Sequence, residues 1–128
     1  MGRINVLIVD DDVNFLYVLG LLLESKDLEV TSASRGAEAV DIVRKTTFDM
    51  VITDFSMPGM NGLELAAAVK ELHPDLPVMM VTCEVTSDLI EMATDVGICR
   101  VLDKPVNVGR LLADIRHFSR RKGRHTPA

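Results

Sequence analysis

Short apolar runs alternate with longer amphipathic stretches along this chain. Val6-Leu7-Ile8-Val9, Met50-Val51-Ile52-Thr53, Val78-Met79-Met80-Val81 and Ile98 to Leu102 are short and bounded by turn residues. Such runs read as buried strands. Strands are expected near Asn5–Val9, Glu29–Ala33, Met50–Thr53, Val78–Val81 and Ile98–Leu102, and helices near Val13–Lys26, Gly36–Lys45, Gly62–Leu72, Ser87–Val96 and Asn107–Arg121. Five strand–helix units in alternation imply an α/β fold, with one parallel sheet covered on both faces. Right-handed crossovers make it doubly wound.

Two helices carry patterns worth reading closely. The last has apolar residues at Val108, Leu111, Leu112, Ile115 and Phe118, the 3-4 spacing of a core stripe. Arg116, Arg120 and Arg121 suit its C-terminal dipole end. In the first helix, Phe15, Val18, Leu19, Leu22 and Leu23 supply a core stripe. Leu16, Tyr17, Gly20 and Leu21 are then left on another face, where a surface helix is normally polar. Apolar residues grouped there mark an interaction face, for a docking partner or for self-association.

The chemistry lies where the strands end. The first run leads into Asp10-Asp11-Asp12, the third strand into Asp54, the fourth into Thr82 and the fifth into Asp103-Lys104-Pro105. In an open parallel sheet all carboxyl ends lie on one edge, and ligands bind in the crevice there. Acidic residues, a hydroxyl and a lysine therefore converge. Clustered carboxylates repel and raise the pKa of at least one member, which a bound cation relieves. Oxygen-only ligands favour Mg2+, with Mn2+ or Ca2+ as substitutes. One carboxylate is then free to act as a nucleophile and form an acyl phosphate. Asp54 is the best candidate, because it stands singly at a strand end before an open loop. Lys104 can pair with one phosphoryl oxygen, and the Thr82 hydroxyl can donate to another.

Composition narrows the field without deciding it. The 128 residues make one domain of ordinary size, and 48% are hydrophobic. A net charge of −5 argues against nucleic-acid binding by this domain itself. The longest apolar stretch, Phe15 to Leu23, is too short to span a membrane, and a strand begins within a few residues of the N-terminus, which leaves no room for a signal peptide. Cys83 and Cys99 have no CxxC spacing and fit buried, reduced thiols of a cytoplasmic protein. The histidines His73, His117 and His125 form no metal-ligand spacing.

At this point the sequence resembles a family. Ile8-Val9-Asp10-Asp11, Asp54-Phe55-Ser56-Met57-Pro58-Gly59-Met60-Asn61-Gly62, Val81-Thr82 and Lys104-Pro105 occur in order, each at a strand end. Together they look like the receiver domain of two-component response regulators, the fold of the single-domain chemotaxis receiver. The resemblance covers residues 3–120 and leaves 121–128 as a basic tail or the start of a linker. It implies the flavodoxin-like strand order 2-1-3-4-5 and five helices on both faces. It also implies a phosphorylated signalling domain rather than a turnover enzyme. A histidine kinase or a phosphotransfer protein would donate phosphate to Asp54. Asp10 and Asp11 would hold Mg2+ together with Asp54 and the backbone carbonyl of Ser56. The Lys104-Pro105 peptide would be cis.

The sequence departs from the family at three places. An aromatic residue usually stands three positions before the lysine, and its ring reports phosphorylation; here that position is Val101. The residue after the threonine is usually Ala or Gly; here it is Cys83, which is larger. Asp12 adds a third carboxylate, which by position is a helix cap rather than a ligand. Rival readings remain. A phosphohydrolase with an aspartyl-phosphate intermediate usually needs a second carboxylate where Ser56 stands. A flavodoxin-like small-ligand binder would need a Gly-rich loop where Asp10–Asp12 stands. A degenerate receiver, acting as a phosphate-independent interaction module, is kept open by Val101.

Overall fold

The computed structural model describes residues 2–119. The strands are β1 (Asn5–Val9), β2 (Glu29–Ala33), β3 (Met50–Thr53), β4 (Val78–Thr82) and β5 (Arg100–Asp103), and the helices are α1 (Val13–Glu24), α2 (Gly36–Lys45), α3 (Gly62–Leu72), α4 (Ser87–Asp95) and α5 (Val108–Phe118). All the strand pairings are parallel, and the order is β2-β1-β3-β4-β5. This is the doubly wound arrangement expected. The chain leaves β1 for a neighbour on one side, then crosses to β3 on the other. The β1/β3 boundary is thus the topological switch point, where such folds place ligands.

The central strands are apolar on both faces because both faces are covered. Every residue of β3 and β4 is buried. On one face Leu7, Val9, Val51, Val78 and Met80 meet α2, α3 and α4 through Val43, Leu65, Val69 and Leu89. On the other, Val6, Ile8, Ile52, Met79 and Val81 meet α1 and α5 through Leu19, Leu23, Leu111 and Ile115. The stripe read in α5 is the one that packs, with Val108 and Phe118 half-buried at its ends.

Capping fixes the helix starts. Asp12 accepts from the N–H groups of Asn14 and Phe15, and Asn107 accepts from Arg110 N–H. Asn61 and Glu64 form a reciprocal capping box at the start of α3. The boundaries differ by small amounts from expectation. Helix α1 ends at Glu24 rather than Lys26, and β5 begins at Arg100 rather than Ile98. Cys99 N–H already donates to Val78 O at 2.9 Å, so the ladder approaches β5 before regular pairing begins. The expectations for Arg120, Arg121, His125 and the segment 121–128 lie outside the described residues.

Two readings are corrected. Leu16 belongs to the core, at 7% exposure, whereas Val18 and Leu22 are exposed at 55% and 40%. The packed stripe of α1 is Leu16, Leu19 and Leu23, with Gly20 lying over the sheet. A Cβ at Gly20 would meet Val30 and Ile8 at 3.8 and 4.0 Å. Only Asn14, Gly20 and Glu24 interrupt the apolar residues of α1. Polar residues therefore mark the outer face of α1 too sparsely for its phase to be read from the sequence. Tyr17 and Leu21 stay exposed, so the expected interaction face loses Leu16 and Gly20 and gains a neighbouring stripe, Val18 and Leu22. The second correction concerns the thiols. Cys83 is exposed and Cys99 half-buried, because Cys83 falls just past the end of β4.

Candidate functional site

The sheet itself carries the site residues into place. Val9 pairs with Thr53 in register, so the residues that follow, Asp10 and Asp54, emerge side by side at the switch point. Thr82 pairs with Asp103, which brings Lys104 to the same edge. Each of these residues continues the ladder with its own amide. Asp10 N–H donates to Ala33 O at 3.2 Å, Asp54 N–H to Val9 O at 3.0 Å and Lys104 N–H to Thr82 O at 3.0 Å. Their Cα positions are consequently fixed by backbone hydrogen bonds rather than by loop packing.

Lys104 reaches across the edge to both strands. Its Nζ donates to Asp10 Oδ2 at 2.7 Å and to Asp54 Oδ2 at 3.4 Å. Asp10 is 2% exposed, and its other oxygen accepts from Asp12 N–H at 2.9 Å. Asp54 is half-buried and its Oδ1 accepts from Phe55 N–H at 2.7 Å. Burial pushes the Asp10 carboxyl above its ordinary value, although the Lys104 and Asp12 bonds pull it back; repulsion from Asp54 adds a smaller push. Crowding was the expected cause, and desolvation outweighs it. Lys104 moves up as well. Burial acts to lower it, but the carboxylates of Asp10 and Asp54 together outweigh that, so the ammonium stays charged at neutral pH.

Asp10, Asp11 and Asp54 each offer a carboxylate oxygen, and these oxygens lie within 4.8 Å of one another. The donors are all hard oxygens, with no imidazole or thiolate among them. They fit a divalent cation of the Mg2+ or Ca2+ type better than a softer metal. Ser56 lies two residues beyond Asp54 in the exposed β3–α3 loop. Thr82 ends β4 fully buried, and its hydroxyl accepts from Glu84 N–H at 3.3 Å. The Lys104-Pro105 peptide is cis.

Against this geometry the comparisons with known proteins are decisive. The sequence profile of the response regulator receiver domain matches residues 6–116.

The chain belongs to the response regulator receiver domain family.

Among related receivers, a response regulator receiver protein of Anaeromyxobacter sp. is 41% identical over 106 residues, 83% of this chain and 44% of that protein. The two-component response regulator ARR14 of Arabidopsis thaliana is 36% identical over 121 residues, 93% of this chain and 32% of that protein. The chain thus spans less than half the length of these curated relatives. In structure, the receiver resembles the chemotaxis protein CheY4 of Vibrio cholerae, with a TM-score of 0.88 and 30% identity over 91% of this chain and 99% of that one.

Sequence reasoning missed two parts of this receiver site. Gly62 opens α3 directly against the end of β3, and its N–H donates to Phe55 O at 2.8 Å. The glycine at the end of the Pro58–Gly62 turn was visible, but not which backbone it meets. Phe15 was read as core and does pack against it, but its ring also lies over the Lys104 ammonium, 4.3 Å from Nζ to the ring centroid. No periodicity distinguishes these two roles.

Proposed function

We propose that Asp54 is the phosphoacceptor of this receiver domain, taking a phosphoryl group from a histidine kinase or a phosphotransfer protein in an Mg2+-dependent reaction. The observation that carries the reading is Lys104 Nζ held between Asp10 and Asp54 at the switch-point edge. Asp54 is the more accessible of these two carboxylates. Its oxygen attacks phosphorus, the bond from phosphorus to the donor's leaving atom breaks, and its electron pair leaves with the donor. Phosphoryl transfer depends on positioning and charge neutralisation rather than on further covalent help. Lys104 supplies a fixed positive charge to one phosphoryl oxygen, and the Thr82 hydroxyl donates to a second. Asp10, Asp11, Asp54 and the Ser56 carbonyl would hold Mg2+, which neutralises charge on the transferring group when bound.

The module is proposed to span residues 3–120, with 121–128 leading out of it. Its output is a change in protein–protein contacts. Val101 is half-buried and has no ring to swing, so the aromatic switch of the family does not operate here. The exposed apolar side chains Tyr17 and Leu21 on α1 are the proposed docking face for the phosphodonor. Incubation with acetyl phosphate and Mg2+, read by Phos-tag gel shift, tests the central assignment. Wild-type protein should shift and Asp54→Asn should not, because an amide is a poor nucleophile. Labelling of Asp54→Asn at unchanged stoichiometry would refute it.

A further inference from the structure

The apolar surface of α1 touches the reactive edge through Phe15. The Lys104 ammonium lies 4.3 Å from its ring centroid, within the range at which a ring quadrupole attracts a cation. The lysine side chain is only 19% exposed, so this attraction is poorly screened by water. The ring has little freedom of its own. Phe15 N–H is tied to the Asp12 carboxylate at 3.2 Å, and the ring packs against the α1–α5 side of the core. It lines an apolar groove of about 460 Å3 together with Leu19, Val106, Val108 and Lys104 itself.

We propose that Phe15 is a positioning residue for Lys104, holding the ammonium where it meets the incoming phosphoryl group. The proposal rests on the reading of Asp54 as acceptor. A lysine head group is a point charge on a flexible stem, and it needs a fixed partner to be aimed. Its two carboxylate partners both change during the reaction. Asp54 would become an acyl phosphate, and Asp10 would be shared with a divalent cation when one is bound. Of these three contacts, the ring alone keeps the same charge distribution from start to finish. It therefore defines the direction of the ammonium while the other partners exchange.

The test uses the full chain, acetyl phosphate as donor, and three variants. Phe15→Leu keeps apolar volume and removes the ring face; Phe15→Tyr keeps the face. Maximal labelling should fall about three- to tenfold in Phe15→Leu and return to within about twofold of wild type in Phe15→Tyr. Half-saturation by Mg2+ should not move, since the Phe15 ring carries no ligand atom for the cation. In a Lys104→Met background, Phe15→Leu should cause no further loss. Equal rates for wild type and Phe15→Leu would overturn the proposal, as would a Phe15→Tyr protein as slow as Phe15→Leu, or a full additional loss without Lys104. Should Phe15→Leu fail to fold, Phe15→Met takes its place with the same expectations. Nuclear magnetic resonance separates this idea from the acceptor reading. The Lys104 Cε protons should carry an upfield ring-current shift in wild type that Phe15→Leu removes, with no phosphodonor present. Absence of that shift in wild type sinks the positioning role by itself. A shift that is present in a chain taking no label sinks the acceptor reading instead, and the positioning role with it.

Discussion

Replacing Gly62 with alanine should cost stability and displace the Asp54 backbone at once. A Cβ built on Gly62 would overlap the backbone carbonyl oxygen of Asp54, and would lie 3.1 Å from its carbonyl carbon and 2.8 Å from Met80 Cε. The methionine end can move, but the Asp54 carbonyl cannot move cheaply. It accepts from Thr53 Oγ1 at 2.8 Å, and Asp54 N–H is tied to β1. Overpacking of this kind costs about 1–3 kcal/mol, and alanine's better helix propensity returns at most about 1 kcal/mol at the first turn of α3. The net expectation is a loss of about 1–2 kcal/mol, on the order of 1 M in the urea midpoint for a slope near 2 kcal/mol/M. Gly20→Ala is the matched control. Its Cβ would find Val30 Cγ1 at 3.8 Å and Ile8 Cδ1 at 4.0 Å, ordinary contact distances inside a helix. It should stabilise by about 0.5–1 kcal/mol. Urea unfolding by circular dichroism measures both. Acetyl phosphate labelling should fall in Gly62→Ala and hold in Gly20→Ala. A Gly62→Ala protein as stable as wild type, with normal labelling, would refute the claim that α3 is pinned against the end of β3.

Two further outcomes test the rest of the site and the helix beside it. Leu16→Ala should lose about 2–5 kcal/mol in urea unfolding as a core truncation, whereas Leu21→Glu should stay within about 0.5 kcal/mol of wild type and weaken phosphotransfer from the donor protein without affecting acetyl phosphate labelling. The reverse ranking would restore Leu16 to the surface. Mg2+ at a hundred times its dissociation constant should stabilise the fold by about 2.7 kcal/mol, a rise on the order of 10 °C in Tm, and Asp11→Ala should abolish it; an undiminished shift in Asp11→Ala would remove Asp11 from the ligand set.

Where the sequence was informative, the reason was geometric. A parallel sheet sends every strand's carboxyl end to one edge, so residues placed at strand ends must meet. Asp10, Asp54, Thr82 and Lys104 were legible on that ground alone. The Asp12 cap followed from its position just before α1. The phase of α1 was not legible, because periodicity needs polar residues to mark the outer face and this helix has almost none. Leu16 and Val18 differ little in hydropathy, so nothing in the pattern decides between them. The thiol of Cys83 was misread because the lack of CxxC spacing says nothing about exposure, and the residue falls just past the end of β4. Contacts between residues distant in sequence, such as Phe15 with Lys104 or Gly62 with the Asp54 carbonyl, are products of packing and leave no local pattern.

The ion pairs at the carboxyl edge of the sheet join residues that are made far apart in time. Lys104 lies 94 residues beyond Asp10 and 50 beyond Asp54. A chain emerging from the ribosome therefore presents β1 and β3, with their carboxylates, long before the cation that balances them. At about 5–20 residues per second, the interval is roughly 3–10 s. During it the nascent chain carries an acidic cleft with no lysine, and β4 lacks its outer neighbour. The last strand to be made both pairs with β4 and delivers the lysine that bridges Asp10 and Asp54, so a prematurely terminated chain would be left with neither.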